Sequence, residues 1–449
     1  MKSDADFDNS HRIKLESIMK STLSRRTVLS GMGAVTLAGL ASATVFKANA
    51  KNINVKTKLP FTGYIRTNWS QDPFSYGAYS HVAKDSGVDD IKILAKPVED
   101  KVYFAGEAVN PDYQSTVHAA LESGETAANA LLKNNKKKVA VIGAGAAGLA
   151  AARVIHNAGV EVKVLEGRNR IGGRVWTDRS IGPPLEQGAA FIVGENGNPV
   201  SKLADSVNAK RVGFGIDDSE GDVVLNKKGE KMWSLFHPSW LEELVLNNSM
   251  GTDYQNLNMD HVEANIENYF GHYKGDNVVF PGGYDQILVP LQTGYDIQLN
   301  TIVNRITRTT DGVAVGFKTG ETQAESSQSF DAVIVTVPLG VLKKGVIAFE
   351  PGLPDEKMQA IARMGMGTVD KLFMMFDRKF WHDAPWIFTP ENGLPQGQFN
   401  MWMDHSAVGA NVLGAFNPGS PALALATESD EVVVAKALGV LEKLYGNKV

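Results

Sequence analysis

The sequence predicts an α/β protein that contains a dinucleotide-binding βαβ unit, and three observations predict this class. An apolar run at 139–142 ends in a glycine-rich turn, an Ala- and Leu-rich segment follows over 147–158, and a second apolar run occupies 161–165. Short apolar runs are typical of buried parallel strands, and the segment between them favours a helix. With 449 residues, the chain is long enough for two domains and a large core.

The turn between the first predicted strand and the helix has the spacing G-x-G-x-x-G. Gly143 permits the tight turn, Gly145 lets the backbone approach a pyrophosphate, and Gly148 lets the helix pack closely on the strand, with Ala147 beside it at the helix N-terminus. Glu166 ends the second strand about 20 residues later, where a carboxylate can accept a hydrogen bond from a ribose hydroxyl. This motif alone suits NAD, NADP or FAD, and it also occurs as a purely structural turn.

The segment that follows this acid, EGRNRIGGR at 166–174, adds a second glycine pair and three arginines, and its cofactor-binding candidates are Arg168, Gly173 and Arg174. An FAD that lies lengthwise needs such a second clamp, whereas a nicotinamide dinucleotide does not; the alternative is a solvated basic loop. The run resembles the E-x-R-x-R-x-G-G-R fingerprint of the flavin-containing amine oxidase superfamily, which includes monoamine oxidases, polyamine oxidases and lysine-specific histone demethylases. The resemblance implies FAD as the cofactor.

Composition narrows the possible partners. The net charge of −5 and a pI near 6.0 give no reason to expect binding to nucleic acid or to a membrane surface. The chain has no cysteine, which excludes disulfides, thiolate catalysis, cysteine-based metal sites and a cysteinyl-linked flavin. We also expect no metal site of another kind, and the sequence leaves the oligomeric state open.

Residues 1–50 have the pattern of a targeting segment. A twin arginine, Arg25-Arg26, precedes a mildly apolar stretch at 31–46, and Ala48-Asn49-Ala50 has the small-x-small form of a cleavage site. The apolar stretch is shorter than the ~20 residues that a membrane span needs. We predict a twin-arginine signal peptide, export to the periplasm, a mature chain that begins near Lys51, and no stable membrane insertion after signal removal. The alternative is a chance arginine pair.

The order of the family motifs is unusual in this chain. The segments 61–80 and 101–128 resemble the end of a flavin amine oxidase, yet they precede the βαβ unit. The motifs that normally follow that unit do follow it, at 186–192, 280–284, 332–342 and 370–372. The resemblance therefore implies a circular permutation in which 138–449 would normally precede 51–132. The alternative is that 51–132 form a separate domain.

The implied fold class is a circularly permuted two-domain α/β fold of the FAD-dependent amine oxidases, with a Rossmann-like FAD domain and an α+β substrate domain. The predicted boundaries are a signal peptide at 1–50, a substrate-domain strand at 51–78, the first part of the FAD domain at 79–199 including a polar linker at 133–137, substrate domain at 200–275, the second part of the FAD domain at 276–343, and substrate domain at 344–449.

Three residues are candidates for catalysis through the resemblance. Lys371 matches the family lysine that holds a water at flavin N5, although a surface lysine on a strand edge is the alternative. Tyr79 matches one wall of an aromatic cage in front of the flavin, although it could be a core tyrosine. Thr116 occupies the second cage position, which is not aromatic here, and this is closer to polyamine oxidases and histone demethylases than to monoamine oxidases.

Further residues match cofactor-binding positions of the family. Glu107 would bind ribityl hydroxyls, backbone N–H groups near Val117 would face flavin O2, and backbone at Val303 would meet adenine. Ala78 stands where monoamine oxidases have their flavin-linking cysteine, so we expect a non-covalent flavin. The remaining candidates are Trp69, Gly106, Gly188 and Ala189.

Some positions depart from the family pattern. Ser115 and Ala119 replace glycines, and Val193 stands where polyamine oxidases often have a His or Glu that meets the cationic substrate. Neither Ala190 nor Phe191 is the arginine that anchors the substrate carboxylate in L-amino-acid oxidases. Glu195 is a candidate substitute acid, with a surface loop glutamate as the alternative.

The predicted function is that of an exported amine oxidase that acts on a small-molecule amine and O2. Hydride would pass from the amine α-carbon to flavin N5, the imine would hydrolyse, and O2 would be reduced to H2O2. Two alternatives remain open: an oxidase of the same fold that acts on an L-amino acid or another substrate, and a flavin-binding protein that is not a catalyst.

Overall fold

The computed structural model describes residues 55–214, 222–232, 239–260, 273–320, 324–447 and 449. The predicted signal peptide lies outside these residues. Within them, no helix is long and apolar enough to cross a membrane, and no group of three or more His, Asp or Glu side chains is arranged to hold a metal ion.

The strands of the described residues are short and are numbered here in chain order. They are β1 (Phe61–Arg66), β2 (Tyr79–His81), β3 (Val102–Phe104), β4 (Lys138–Ile142), β5 (Glu161–Leu165), β6 (Thr177–Asp178), β7 (Leu185–Glu186), β8 (Val212–Gly213), β9 (Val223–Val224), β10 (Val278–Val279), β11 (Asp296–Gln298), β12 (Thr301–Arg308), β13 (Val313–Thr319), β14 (Ala324–Phe330), β15 (Ala332–Val335), β16 (Ala348–Glu350), β17 (Gly365–Gly367), β18 (Val369–Phe376), β19 (Trp386–Phe388), β20 (Met401–Asp404) and β21 (Val412–Pro418).

The α-helices of the same residues are numbered likewise. They are α1 (Val88–Ala95), α2 (Val117–Leu132), α3 (Ala146–Asn157), α4 (Pro199–Ser206), α5 (Ser239–Met250), α6 (Leu339–Lys344), α7 (Asp355–Arg363), α8 (Gly419–Ala426) and α9 (Asp430–Tyr445).

A five-stranded parallel sheet forms the first layer, in the order β11-β5-β4-β15-β3. Its central strands are apolar on both faces because both faces are covered. Helices α2 and α3 pack on one face, and the four-stranded sheet β14-β13-β12-β16 covers the other. The predicted strand–helix–strand order is confirmed as β4, α3 and β5, with α3 beginning one residue earlier than predicted.

A six-stranded sheet in the order β1-β18-β21-β20-β19-β9 forms the second layer. Side chains alternate between its two faces, as the period of a strand requires. On β18, Leu372 and Met374 pack with residues of α9 in one apolar cluster. Val369 and Phe373, on the opposite face, belong to other clusters. Lys371 shares this second face, which is therefore the one that concerns the site.

Residues 61–132 contribute strands to both sheets. Strand β1 pairs antiparallel with β18, β3 pairs parallel with β15, and α2 packs on α3. Thr57 Oγ1 donates a 2.6 Å hydrogen bond to Glu442 Oε1 on the last helix, and Arg66 forms a 3.2 Å ion pair with Asp430. This segment is thus built into the same layers as the rest of the chain and is not a separate domain.

Candidate dinucleotide and substrate site

The glycine turn has the geometry that the sequence predicts. Gly143 adopts φ +107°, a conformation that favours glycine. A Cβ on Gly148 would lie 1.9 Å from the Gly143 carbonyl oxygen, so only glycine lets α3 approach β4 this closely. A Cβ on Gly145, by contrast, would meet nothing nearer than Gly172 O at 3.9 Å. The backbone at Gly145, which is the N-cap of α3, is therefore open to an approaching anion.

Glu166 holds the glycine turn from the end of β5. Its carboxylate accepts a 2.7 Å hydrogen bond from Ala144 N and a 2.8 Å bond from Arg168 N. Asn300 N and Thr301 N in turn donate to the carbonyls of Arg168 and Glu166, which brings the start of β12 to the same place. Val303 on β12 is buried in one cluster with Leu165.

The second glycine pair lies directly against the first turn. Gly145 and Gly172 form a parallel bridge, and a Cβ on Gly173 would lie 3.4 Å from the Gly145 Cα. Arg170 stacks 4.3 Å from the Trp176 ring centroid, and its Nη2 is buried without a hydrogen-bond partner among the described residues. Burial lowers the pKa of Arg170 to about 10. Its Nη1 donates to the carbonyls of Ile171 and Gly173. The two turns thus form one cradle of backbone with a guanidinium group beside it that has one free donor nitrogen.

The three arginines of the motif differ in their partners. Arg168 pairs with Asp72 at 2.8 Å and lies over the Phe74 ring, so it fastens the 72–74 segment to the cradle. Arg174 donates a 2.7 Å bond to Glu107 and a 2.9 Å bond to the Ala78 carbonyl. Arg168 and Arg174, which follow the linker at 133–137, thus both contact residues that precede it.

Glu107 is a buried acceptor at the centre of this junction. Besides Arg174, it accepts hydrogen bonds from the amides of Ser80 and Ser115 and from the Ser80 hydroxyl. Gly106 precedes it with φ +140°, and a Cβ there would meet nothing within 4 Å. The backbone next to Glu107 is therefore open in the same way as that of Gly145.

The N-terminus of α2 lies next to this acid. Thr116 is the N-cap of α2, and its hydroxyl accepts a 3.1 Å bond from Ala119 N. Val117 is the first residue of the helix. Ser115 adopts φ +73°, a conformation that favours glycine, at a position where the family has one. The helix begins at Val117 because the Thr116 side chain caps it.

Lys371 is buried on β18 and holds the loop at 186–189. Its ammonium donates to Glu186 O at 2.8 Å and Gly188 O at 2.6 Å. Burial lowers the pKa of Lys371 to about 8, although the nearby Glu186 opposes the shift. Burial likewise raises the pKa of Glu186 to about 7. The alternative of a surface lysine on a strand edge is wrong.

Two further contacts fix the same loop. Trp69 Nε1 donates a 3.0 Å bond to Gln187 O, and Ala189 N donates a 3.1 Å bond to Arg174 O. A Cβ on Gly188 would lie 1.8 Å from Arg174 O, so this position requires glycine. The structure thus brings the predicted residues Trp69, Gly188, Ala189 and Lys371 together around one loop.

An aromatic cluster lies beside Lys371. Its ammonium is 5.1 Å from the Phe416 ring centroid, and the rings of Phe416 and Trp386 are 5.3 Å apart. Phe191 and Phe214 continue the cluster, and Tyr79 packs against it. The Tyr79 hydroxyl donates to the Asn248 carbonyl, and burial, followed by the charge of Glu107, raises the pKa of Tyr79.

Sequence reasoning missed the parts of the site that depend on long-range pairing. Phe416, Trp386 and Phe214 carry no motif. Strand pairing places Phe416 and Trp386, whereas Phe214 follows β8 of another sheet and joins them by side-chain packing. Glu195 forms a 3.4 Å ion pair with Arg211, so it is not a free acid for a substrate.

A cradle built from two glycine turns, a strand-end carboxylate and helix N-termini defines a dinucleotide-binding protein. The open backbone at Gly145 and Gly106, together with the unpartnered Nη2 of Arg170, fits a long anionic cofactor. The chain belongs to the family described as flavin containing amine oxidoreductase, whose model matches residues 43–132, 146–239 and 226–449. Its cofactor is therefore a flavin.

Several curated proteins are similar to this chain. Polyamine oxidase 4 of Oryza sativa subsp. japonica is 30% identical over 68% of this chain and 72% of its own length. Lysine-specific histone demethylase 1B of Mus musculus is 28% identical over 69% of this chain and 44% of its own length. Lysine-specific histone demethylase 1 homolog 3 of Arabidopsis thaliana is also 28% identical, and the chain spans only 25% of it.

Solved structures have the same fold. A redesigned putrescine oxidase matches with a TM-score of 0.53 and 20% identity, over 70% of this chain and 82% of that one. The cyclohexylamine oxidase of Brevibacterium oxydans matches with a TM-score of 0.54, also at 20% identity and with the same two coverages.

Substitutions at Gly148 and Gly145 should have different effects, the first on folding and the second on cofactor binding. Because a Cβ at position 148 would clash with backbone, Gly148→Ala should lower the unfolding free energy of the flavin-free protein by about 3 kcal/mol. Gly145→Ala should change it by less than about 0.5 kcal/mol, yet it should lose flavin because the methyl group occupies the approach of the pyrophosphate. Urea unfolding and the flavin absorbance per chain measure the two effects; a Gly145→Ala protein with full flavin content would contradict the assignment.

Proposed function

We propose that this protein is an exported FAD-dependent amine oxidase. The observation that carries the proposal is the buried Lys371 ammonium, held on the 186–189 loop between the dinucleotide cradle and an aromatic cluster that includes Tyr79. Bound FAD would supply hydride acceptance from the amine α-carbon and electron transfer to O2, with H2O2 and an imine as products. The chain's relatives include a polyamine oxidase, which supports the same chemistry.

The protein's own residues would prepare the amine and the water. Tyr79 and the rings around Trp386 and Phe416 exclude water, which favours the neutral amine that can give up hydride. Tyr79 stays protonated, because its pKa is raised by burial. Lys371 would hold the water that hydrolyses the imine, and its two carbonyl partners fix where that water can lie.

The flavin would be bound without a covalent link. Ala78 faces the junction through its carbonyl, which accepts the bond from Arg174, and the chain contains no cysteine. Denaturation with acid should therefore release all yellow colour into the supernatant.

Lys371→Met tests the proposed role. The variant should keep its flavin but reduce the rate of flavin bleaching by an amine, without oxygen, by about 100-fold, because the positive charge that would stabilise the reduced flavin is lost. Stopped-flow absorbance with a panel of monoamines, spermidine and amino acids measures the rates and finds the substrate class. Lys357→Met is the matched control. Lys357 is also buried, its ammonium donates to three backbone carbonyls at the C-terminal end of α1, and it lies over the Phe104 ring.

The outcomes separate the alternatives. The control variant should lose stability but keep its bleaching rate. If bound flavin is bleached by amino acids but by no other amine, the amino-acid oxidase replaces our proposal. If no member of the panel bleaches it, the non-catalytic flavin-binding protein does.

We also propose that the chain is a circular permutation of the family. Thr57 contacts Glu442, so the start of the described chain lies beside its last helix. Strand β1 completes the second sheet beside β18. The matches to relatives and solved structures cover 68–70% of this chain. This is about the share of the chain that follows the 133–137 linker. An alignment that preserves chain order can match only one of the two parts of a permuted protein, so a coverage of this size is expected.

Reordering the chain tests the permutation. A protein with residues 138–449 joined through a Gly/Ser linker to 55–132, and without 133–137, should bind flavin and oxidise the same amine at a similar rate, because no described strand or helix is cut. A control reordering opened inside β18, between Met374 and Met375, should fail to fold. Failure of both proteins, judged by circular dichroism and flavin absorbance, would contradict the proposed order.

Export is the remaining part of the proposal, and it is supported by the twin arginine and the cleavage pattern of residues 25–50. Replacing Arg25 and Arg26 by lysine should leave the full-length precursor in the cytoplasm. N-terminal sequencing of the exported wild-type protein should start near Lys51, and export unaffected by the double replacement would contradict a twin-arginine route.

A further inference from the structure

The carboxylate of Glu186, on β7, is held in place by two uncharged donors. Its Oε1 accepts a 2.8 Å hydrogen bond from the backbone N–H of Tyr284, and its Oε2 accepts a 2.8 Å bond from the Thr177 hydroxyl. Thr177 lies directly opposite Glu186 on the paired strand β6. The position of this negative charge is therefore fixed by the fold, and neither donor neutralises it.

Glu186 also contacts Lys371, but through its backbone. The Lys371 nitrogen lies 2.8 Å from the Glu186 carbonyl oxygen and 2.6 Å from that of Gly188, and both acceptors are neutral. The carboxyl carbon of a glutamate is no more than ~6 Å from its own carbonyl oxygen, so the two charges lie within about 9 Å of each other. Because Lys371 is buried, their interaction is screened much less than it would be in water.

Each charge opposes the effect that burial has on the other group. Burial lowers the pKa of Lys371 to about 8, and the charge of Glu186 raises it. Burial raises the pKa of Glu186 to about 7, and its two donors and the charge of Lys371 lower it. The two groups therefore titrate as a coupled pair.

The other titratable groups around this pair do not supply a charge that acts on Lys371. Asp285 is itself paired with Arg179 at 2.7 Å. Burial, followed by the charge of Lys371, lowers the pKa of His405 to about 4, so its imidazole is neutral in the neutral pH range. Burial raises the pKa of Tyr284, whose phenol therefore stays protonated. Among the described residues, Glu186 is thus the group whose charge acts on the lysine.

We propose that Glu186 is a positioning residue that keeps Lys371 in its ammonium form at the pH at which the amine is oxidised. An alkylamine has a pKa near ~10, so the neutral amine that can give up hydride becomes more abundant as the pH rises. The positive charge of Lys371, which would stabilise the reduced flavin, is lost as the pH rises. The Glu186 carboxylate delays that loss and so widens the pH range in which both forms are present. The inference rests on the proposed amine oxidation and concerns the charge state of its lysine.

Glu186→Gln tests the role of the charge. The amide can keep both hydrogen bonds, because its oxygen accepts from Tyr284 N and its nitrogen donates to the Thr177 oxygen. The pKa of Lys371 should fall further below 8, because the charge that raises it is lost. Anaerobic flavin bleaching by an amine should therefore begin to decline at a pH about one unit lower than in the wild type. Glu186→Asp should recover part of the wild-type pH profile.

A titration without substrate makes the test independent of turnover. The visible absorption band of the bound, oxidised flavin should respond to the pair with one transition near pH 7 and one near pH 8. Glu186→Gln should leave one transition, below pH 8. Lys371→Met should also leave one, above pH 7, because the charge that lowers the pKa of Glu186 is lost. Asp285→Asn is the control, since it removes a partly exposed carboxylate next to Tyr284 and should leave the alkaline transition in place.

The proposal is overturned if the alkaline transition and the decline in rate occur at the same pH in Glu186→Gln and in the wild type. An equal shift in Asp285→Asn also overturns it. If Glu186→Gln loses its flavin, the Lys371→Met titration decides: an upward move of the Glu186 transition supports the proposal, and an unmoved transition overturns it. If no amine bleaches the wild-type flavin, the amine oxidase proposal fails, whereas the titration still tests the pair.

Discussion

The ion pair between Arg174 and Glu107 is the contact on which the site depends. It joins the second glycine turn to a segment that precedes the first turn by more than thirty positions in the chain. Glu107 also accepts hydrogen bonds from two backbone amides and a serine hydroxyl. Loss of Arg174 would leave the buried Glu107 charge without its cation, and loss of Glu107 would leave several donors unsatisfied. The cradle is therefore complete only when both parts of the chain are folded together.

The second constraint is the alternation of side chains on the six-stranded sheet. One face must be apolar because α9 covers it. The other face can then carry the buried Lys371 on β18 and an aromatic cluster on β21 and β19. The sheet thus supplies rigid spacing, and the loop at 186–189 connects its Lys371 end to the dinucleotide cradle.

Local motifs predict the βαβ unit and its glycine turn closely, because strand, turn and helix are contiguous and because Gly143 and Gly148 each have a steric reason. The resemblance predicts Trp69, Gly188 and Lys371 as separate site residues. Their grouping around one loop is seen only in the structure, because they meet by contacts between distant segments. Arg168 was predicted as a cofactor residue, and its pairing with Asp72 could not be anticipated, because no spacing rule relates them.

The central claim is that residues 61–132 and 138–449 together build one flavin site. The most direct measurement is the amount of FAD bound per chain in the purified mature protein, from its visible absorbance after incubation with FAD and gel filtration. The account predicts one FAD per chain. A protein that is folded by circular dichroism and retains no FAD would contradict it.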